Sequence, residues 1–447
     1  MSERVPLETC DLLIEAGWVV PIVPHGVVLE DHAVAISGGR ILALLPSAEA
    51  ASRFLPKETV RRPEAALIPG LVNAHVHNPM TLLRGVADDL PLKVWLQQHI
   101  WPIEAAVLSQ GFVEDGVQLA IVEMLRGGTT CCNENYFFPD VQAATYAKHG
   151  FRALVGLPVI DFPTAWAASD DEYFERAGAV HDQWKGHPLV ATAFAPHAPY
   201  TVGDANFERI RMLADQLDIP VHLHLHETAQ EVQQSIDKHG QRPLARIDRL
   251  GLLNDRLIAV HMTQLTDAEI TLCAQRGVSV VHCPESNLKL ASGFSPVCKL
   301  LAAGVNLAIG TDGCASNNDL DMVGETRTAA LLAKAVAEDA AGFPAFEALR
   351  AATLGGANAL GLGERIGSIE VGKEADLACI DLSAPETQPL HHVISQLVYA
   401  AGRRQVSDVW VAGVRKLDRG DVVGIDLDAV LASAGSWRER IARVRPA

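Results

Sequence analysis

Leu67-Ile-Pro-Gly-Leu-Val-Asn-Ala-His75-Val-His77 is a short apolar run, led in by Pro69-Gly70, that ends in polar residues. Seven further runs share this design: Thr129–Asn135, Arg152–Ile160, Leu189–His197, Ile219–Glu227, Leu257–Met262, Val278–Cys283 and Val305–Asp312. Helical patterns lie between them. Ser109–Arg126 has helical apolar spacing and stops at Gly127-Gly128, a C-cap signature. Asp204–Leu217 sets Phe207, Ile210, Leu213, Ala214 and Leu217 along one stripe. Thr266-Asp-Ala-Glu269 is a capping box, opening a helix that ends near Gly277. Alternating strand and helix signals predict an α/β fold, a parallel (β/α)8 (TIM) barrel over residues 67–365. The rival arrangement is an open doubly wound sheet. The placement of polar residues at the ends of the runs favours the barrel.

The two ends of the chain read differently. His32–Leu44 alternates around Gly38-Gly39-Arg40, a hairpin signal. Ser368–Val371, Asp376–Ile380 and Val406–Val414 read as short strands. Neither end is large enough to bury a core alone. Residues 1–66 and 366–447 are therefore expected to form one small, discontinuous β-sandwich domain beside the barrel.

Composition sets outer limits. Lys+Arg number 37 and Asp+Glu 54 in 447 residues, a formal charge of −17. That excess of acid argues against nucleic acid, an anionic membrane surface or a phosphate-rich ligand as partner. No apolar run approaches the roughly 18–20 residues of a membrane span. Met1–Ile22 lacks the basic and apolar regions of a secretory signal. Eight cysteines are scattered without a CxxC pair, so the expected compartment is a reducing cytoplasm.

Barrel enzymes place their chemistry at the C-terminal ends of the strands. His75 and His77, two apart on a strand end, face the same side and can meet at one metal ion. His222-Leu-His224-Leu-His226-Glu227 puts three more histidines on one face, and spacing alone leaves His224 and His226 as alternatives for a third ligand. Neighbouring runs end in His197, His261 and Asp312. Three imidazoles and one carboxylate make a catalytic shell for Zn²⁺ or another divalent ion, which lowers the pKa of water. The fourth run offers no lysine to bridge a second metal, so one ion per subunit is expected.

Pro69–His77, His224–Glu227, His261, His282-Cys-Pro-Glu-Ser-Asn287, Gly310-Thr-Asp312-Gly and Gly367–Leu377 together resemble the amidohydrolase superfamily over nearly the whole chain. The resemblance implies His75, His77, His224 and Asp312 as metal ligands, zinc or iron being the ion. It implies Glu227, His261 and Asp312 as proton carriers. Leu82–Trp95 and Ile100-Trp-Pro-Ile-Glu104 look most like 5-methylthioadenosine/S-adenosylhomocysteine deaminases. That likeness implies substrate contacts from Glu104, on the ribose hydroxyls, from His197 and from Glu227. Arg152 and Arg176 are candidates for the tail of the larger substrate. The implied reaction is hydrolytic release of ammonia from C6 of an adenine nucleoside, a small molecule, by a cytoplasmic homo-oligomer (dimer or tetramer).

The alternatives within the superfamily are a guanine or 8-oxoguanine deaminase and a triazine chlorohydrolase. A catalytically inactive binding protein is the alternative from another class. His222, His226 and His282 are expected to hydrogen-bond within the barrel. Trp95 and Trp101 are expected to pack, and Cys283 and Cys314 to be small buried hydrophobes.

Overall fold

The computed structural model describes residues 7–444. Residues 1–6 and 445–447, which the expected small domain takes in, lie outside them. Strands β1 (Glu8–Val19), β2 (Leu29–Ser37), β3 (Arg40–Pro46) and β4 (Phe54–Pro69) come first. Eight more follow: β5 (Leu71–Val76), β6 (Thr129–Glu134), β7 (Arg152–Val159), β8 (Val190–Pro196), β9 (Val221–Leu225), β10 (Leu257–His261), β11 (Ser279–His282) and β12 (Asn306–Ile309). The last are β13 (Leu377–Asp381), β14 (Val406–Val411), β15 (Val414–Asp418) and β16 (Asp421–Val422).

Strands β5 to β12 pair in chain order, all parallel, with helices between them. This is the expected (β/α)8 barrel. The ring is drawn together where the Asp312 amide donates to the His75 carbonyl at 3.0 Å. Asn73 and Thr311 reinforce the seam, with Asn73 Nδ2 donating to Thr311 Oγ1 at 2.7 Å. Gly310 is required there, since a Cβ would lie 2.7 Å from the His75 nitrogen. Every residue of β5, β6, β7, β9, β10 and β11 is buried, as expected for strands covered on both faces. Leu154, Ala193, Ile258, Val260, Val281 and Ala308 belong to one packed cluster. The barrel is a filled core with chemistry at one rim.

The helix signals are realised as read. Thr266 caps Asp267–Arg276 through the full capping box, and Gly277 ends that helix at φ 72°. Ser109 caps Gln110–Arg126, which ends at Gly127.

The chain ends form a second eight-stranded sheet in the order β16-β15-β14-β13-β4-β1-β2-β3. Pairing of β4 with β13, Leu377 opposite Pro69, ties the two ends together. The seam between the sheets falls at Gly70. Leu67–Pro69 therefore continue β4, and the barrel starts at Leu71. A Cβ on Gly70 would lie 2.2 Å from Thr130 Oγ1, so only glycine lets the chain cross there. Ser368–Val371 is not a strand. Gly367 and Gly372 bracket it with φ of 89° and 93°, which turns the chain away from extended pairing. A helix, Leu427–Val444, is the last described element and seats Trp437 edge-on against Phe112.

Arg152 begins β7, at the rim away from the histidines. It donates to Asp376 at 2.7 and 2.9 Å and to Glu374 at 2.7 Å. Only 1% of it is exposed, and it pins the returning chain to the barrel floor. Arg176 pairs with Glu172 one turn away on the helix Asp170–Trp184. Neither arginine, each a candidate from sequence for the tail of the larger substrate, lines the cavity described below.

Candidate active site

The strand ends deliver their polar side chains to one point. His75 Nε2 and His77 Nε2 each lie 3.2 Å from Asp312 Oδ1, and His224 Nε2 lies 3.2 Å from His75 Nε2. His261 joins the same cluster, its ring nitrogen within 4.8 Å of those of His75 and His224.

Backbone geometry explains how alternating strands achieve this. His226, His261 and Asp312 all have positive φ, at 53°, 74° and 63°. Such values are uncommon for residues with a Cβ and mark positions held by their surroundings. At His261 and Asp312 the turn comes at the rim, where both side chains meet the cluster. At His226 it carries the ring elsewhere: Nε2 accepts from the Leu244 amide at 3.0 Å and Nδ1 faces the Gln264 carbonyl. This separates His224 from His226, which strand alternation alone does not.

Each histidine has its remote nitrogen fixed. His77 Nδ1 donates to the Asn135 carbonyl, and His224 Nδ1 donates to the His197 carbonyl at 2.6 Å. His75 Nδ1 meets His222 Nε2 at 2.9 Å, and His261 Nδ1 meets Asn287 Oδ1 at 2.9 Å. These contacts leave the Nε2 lone pairs of His77 and His224 aimed inward. Asp312 is fixed too, by Ser286 Oγ at 2.6 Å on Oδ2 and by the Gly313 amide at 2.8 Å on Oδ1. Burial opposes ionisation of Asp312, yet bonding to His75 and His77 holds its carboxyl well below the usual range. His77 Nε2 thus stands 3.2 Å from an ionised carboxylate. A convergent set of imidazole lone pairs and a carboxylate is the donor chemistry a divalent cation takes. The residues present fit a metal ion.

The cluster opens into a cavity of about 530 Å³. His77, His224, His261, Asp312, Glu227, Glu104 and His197 all line it. Burial pushes the Glu227 carboxyl up to about 8, with the Asp312 charge adding to the shift. Glu227 is thus mainly protonated at neutral pH. The Thr263 hydroxyl donates to its carbonyl at 2.7 Å, and its amide donates to Glu231 Oε2 at 2.7 Å. Burial likewise raises Glu104 to about 7, opposed by the Tyr136 hydroxyl that donates to it. His197 stays neutral, lowered to about 4 by burial and the neighbouring His77.

Several participants escape a reading of the sequence. Ser286 and Asn287 lie in a quoted motif, but their contacts to Asp312 and His261 depend on the turn after β11. Glu134, at the end of β6, accepts from the Asn78 and Asn135 amides and from the Tyr146 hydroxyl at 2.8 Å, holding the loop that follows His77. Trp95 and Trp101 both line the cavity. His282 is buried with neither ring nitrogen partnered among the described residues, whereas His222 has the inner partner expected of it. Cys283 and Cys314 are buried.

A model of the Amidohydrolase family matches residues 66–416. The 5-methylthioadenosine/S-adenosylhomocysteine deaminase of Teredinibacter turnerae is 46% identical over 437 residues, covering 98% of this chain and 99% of that protein. Its counterpart in Saccharophagus degradans is 42% identical over 441 residues, covering 99% and 98%. Among solved structures, an adenosine deaminase from Xanthomonas campestris with bound zinc superposes with a TM-score of 0.97 at 74% identity, over 98% of this chain and 100% of that one. An atrazine chlorohydrolase from Arthrobacter aurescens shares the fold, with a TM-score of 0.88 at 23% identity over 96% and 100% of the two chains.

Proposed function

The chain belongs to the amidohydrolase family, and on that premise we propose that it is a metal-dependent hydrolytic deaminase of adenine nucleosides, with 5′-methylthioadenosine as a substrate. What carries this reading is that the cluster of His75, His77, His224 and Asp312 opens, through His77, His224 and Asp312, into a cavity also lined by Glu227, a carboxyl held protonated near neutral pH. The relatives named for this reaction support it at 42–46% identity over almost the full chain.

His75, His77, His224 and Asp312 would hold one divalent ion, zinc by analogy with the zinc-bound structure at 74% identity. Such an ion supplies Lewis acidity and lowers the pKa of water, so that a nucleophile exists at neutral pH.

The protein's own groups then manage the protons. Glu227 donates to the ring nitrogen beside C6, drawing electron density from that carbon. His261 Nε2 and Asp312 accept one proton from the attacking water and return it to the departing amine, and the proton left on the C6 oxygen returns to Glu227 as the carbonyl forms. The C6–O bond forms, the C6–N bond breaks, and ammonia leaves. Glu104 accepts the two ribose hydroxyls on its carboxylate, oriented by Tyr136. His197, which also lines the cavity, contacts the substrate.

All eight cysteines are free thiols, which suits a reducing compartment, and we place the activity in the cytoplasm. No helix among the described residues is long and apolar enough to cross a membrane. A homodimer or homotetramer is part of the proposal and is read by light scattering.

The test is ammonia release by the purified, zinc-loaded protein from 5′-methylthioadenosine, adenosine, guanine and 8-oxoguanine, alongside chloride release from a chlorotriazine. Turnover of the adenine nucleosides supports the reading. Turnover confined to guanines or chlorotriazines overturns it.

A further inference from the structure

Resting on the deaminase reading of this cavity, we propose that the site selects adenine nucleosides with an uncharged 5′ substituent and discriminates against 5′ groups that carry a carboxylate or phosphate. Among the described residues, no lysine or arginine lines the cavity. Outside the histidine and Asp312 cluster, its carboxyl groups are Glu104 and Glu227, and neither supplies a positive counter-charge to an anion. Much of the remaining wall is apolar: Leu92, Leu96, Leu108, Ile160, Phe162 and Pro163.

Basic side chains on the surrounding elements are committed elsewhere. Lys289 is held by Asp88 at 2.6 Å and by Asn318. Arg84 pairs with Glu123. Arg152 and Arg176 have the partners already described. Lys93 follows Leu92 but is exposed and stands outside the lining.

An anion entering such a site loses water and gains no counter-charge, which is costly. A methylthio group loses nothing of that kind. Its apolar methyl suits leucine and phenylalanine, and its sulfur is polarisable enough to rest on an aromatic edge. The wall therefore matches a thioether tail and mismatches the zwitterionic tail of S-adenosylhomocysteine. It mismatches the dianion of adenosine 5′-monophosphate still more.

The experiment compares kcat/KM of the zinc-loaded protein for adenosine, 5′-deoxyadenosine, 5′-methylthioadenosine, S-adenosylhomocysteine and adenosine 5′-monophosphate. We expect S-adenosylhomocysteine to fall about 30-fold or more below 5′-methylthioadenosine, the size of one unpaired buried charge. The monophosphate should fall by more than about 100-fold. Phe162→Arg places a cation at a lining position that is 42% exposed, where the substitution is tolerable. It should narrow the ratio of 5′-methylthioadenosine to S-adenosylhomocysteine by about tenfold, equivalent to one partial charge pairing, while Phe162→Leu leaves the ratio alone. Equal efficiency on the two thioethers overturns the selectivity and leaves the deaminase reading standing. An unmoved ratio in Phe162→Arg overturns the missing counter-charge as its cause. No deamination of any of the five nucleosides overturns the deaminase reading itself.

Discussion

Replacing Glu227 by glutamine removes a proton donor while keeping size and hydrogen-bonding capacity. Glu227 lines the cavity, and its carboxyl is raised to about 8 by burial and by Asp312. At pH 7 a group titrating near 8 is about nine-tenths protonated, and at pH 9 about one-tenth. The acid form is the working form, so wild-type kcat/KM should fall about ninefold between pH 7 and pH 9 through this group. Glutamine cannot transfer a proton. The loss expected for one general acid is ~10²–10⁴ in kcat, or about 2.7–5.4 kcal/mol of barrier. Glu227 is not among the clustered metal donors, so metal content should be unchanged. The assay is the ultraviolet change on conversion of the adenine ring to hypoxanthine, followed from pH 5 to 10, alongside metal analysis. Full turnover by Glu227→Gln, or loss of metal in parallel with activity, would refute the role given to this carboxyl.

Other substitutions probe the neighbouring contacts. Ser286→Ala deletes the 2.6 Å donor to Asp312 Oδ2 and should weaken metal affinity ~10–100-fold by chelator competition, a loss typical of a ligand's supporting contact. Unchanged affinity would mean that Asp312 is positioned by other contacts. Asp312→Asn should lose both metal and activity, and retention of stoichiometric metal would remove Asp312 from the ligand set. Glu104→Ala should raise KM for nucleosides far more than for free bases, and an equal effect on both would remove the ribose contact. Arg152→Met leaves Asp376 and Glu374 without their buried cation and should cost about 3–5 kcal/mol in denaturant unfolding. Unchanged stability with a selective loss of S-adenosylhomocysteine turnover would restore this arginine to substrate binding.

Much of this architecture is legible in the residues because it is periodic. Eight apolar runs with polar ends map onto β5–β12, and the pair His75 and His77 follows from strand alternation. The boundary at Leu67 misses because the apolar run is continuous across two sheets. Only the packing of Gly70 on Thr130 marks the break. The choice between His224 and His226 is hidden for a related reason. Alternation puts both on one face until the positive φ at His226 ends it, and no local residue type announces that turn. Glu134, Ser286 and Asn287 act through loops whose partners are remote in sequence, so their spacing carries no signal. Arg152 misleads for the opposite reason: a lone arginine beginning a strand looks available until Asp376 returns from the far end of the chain to meet it.

The most direct test of the whole account is one measurement on freshly purified protein: metal per chain together with initial rates on 5′-methylthioadenosine and a chlorotriazine. About one divalent ion per chain and release of ammonia from the nucleoside are expected, with negligible release of chloride. Protein that carries the ion but liberates chloride and leaves the adenine ring intact would contradict it.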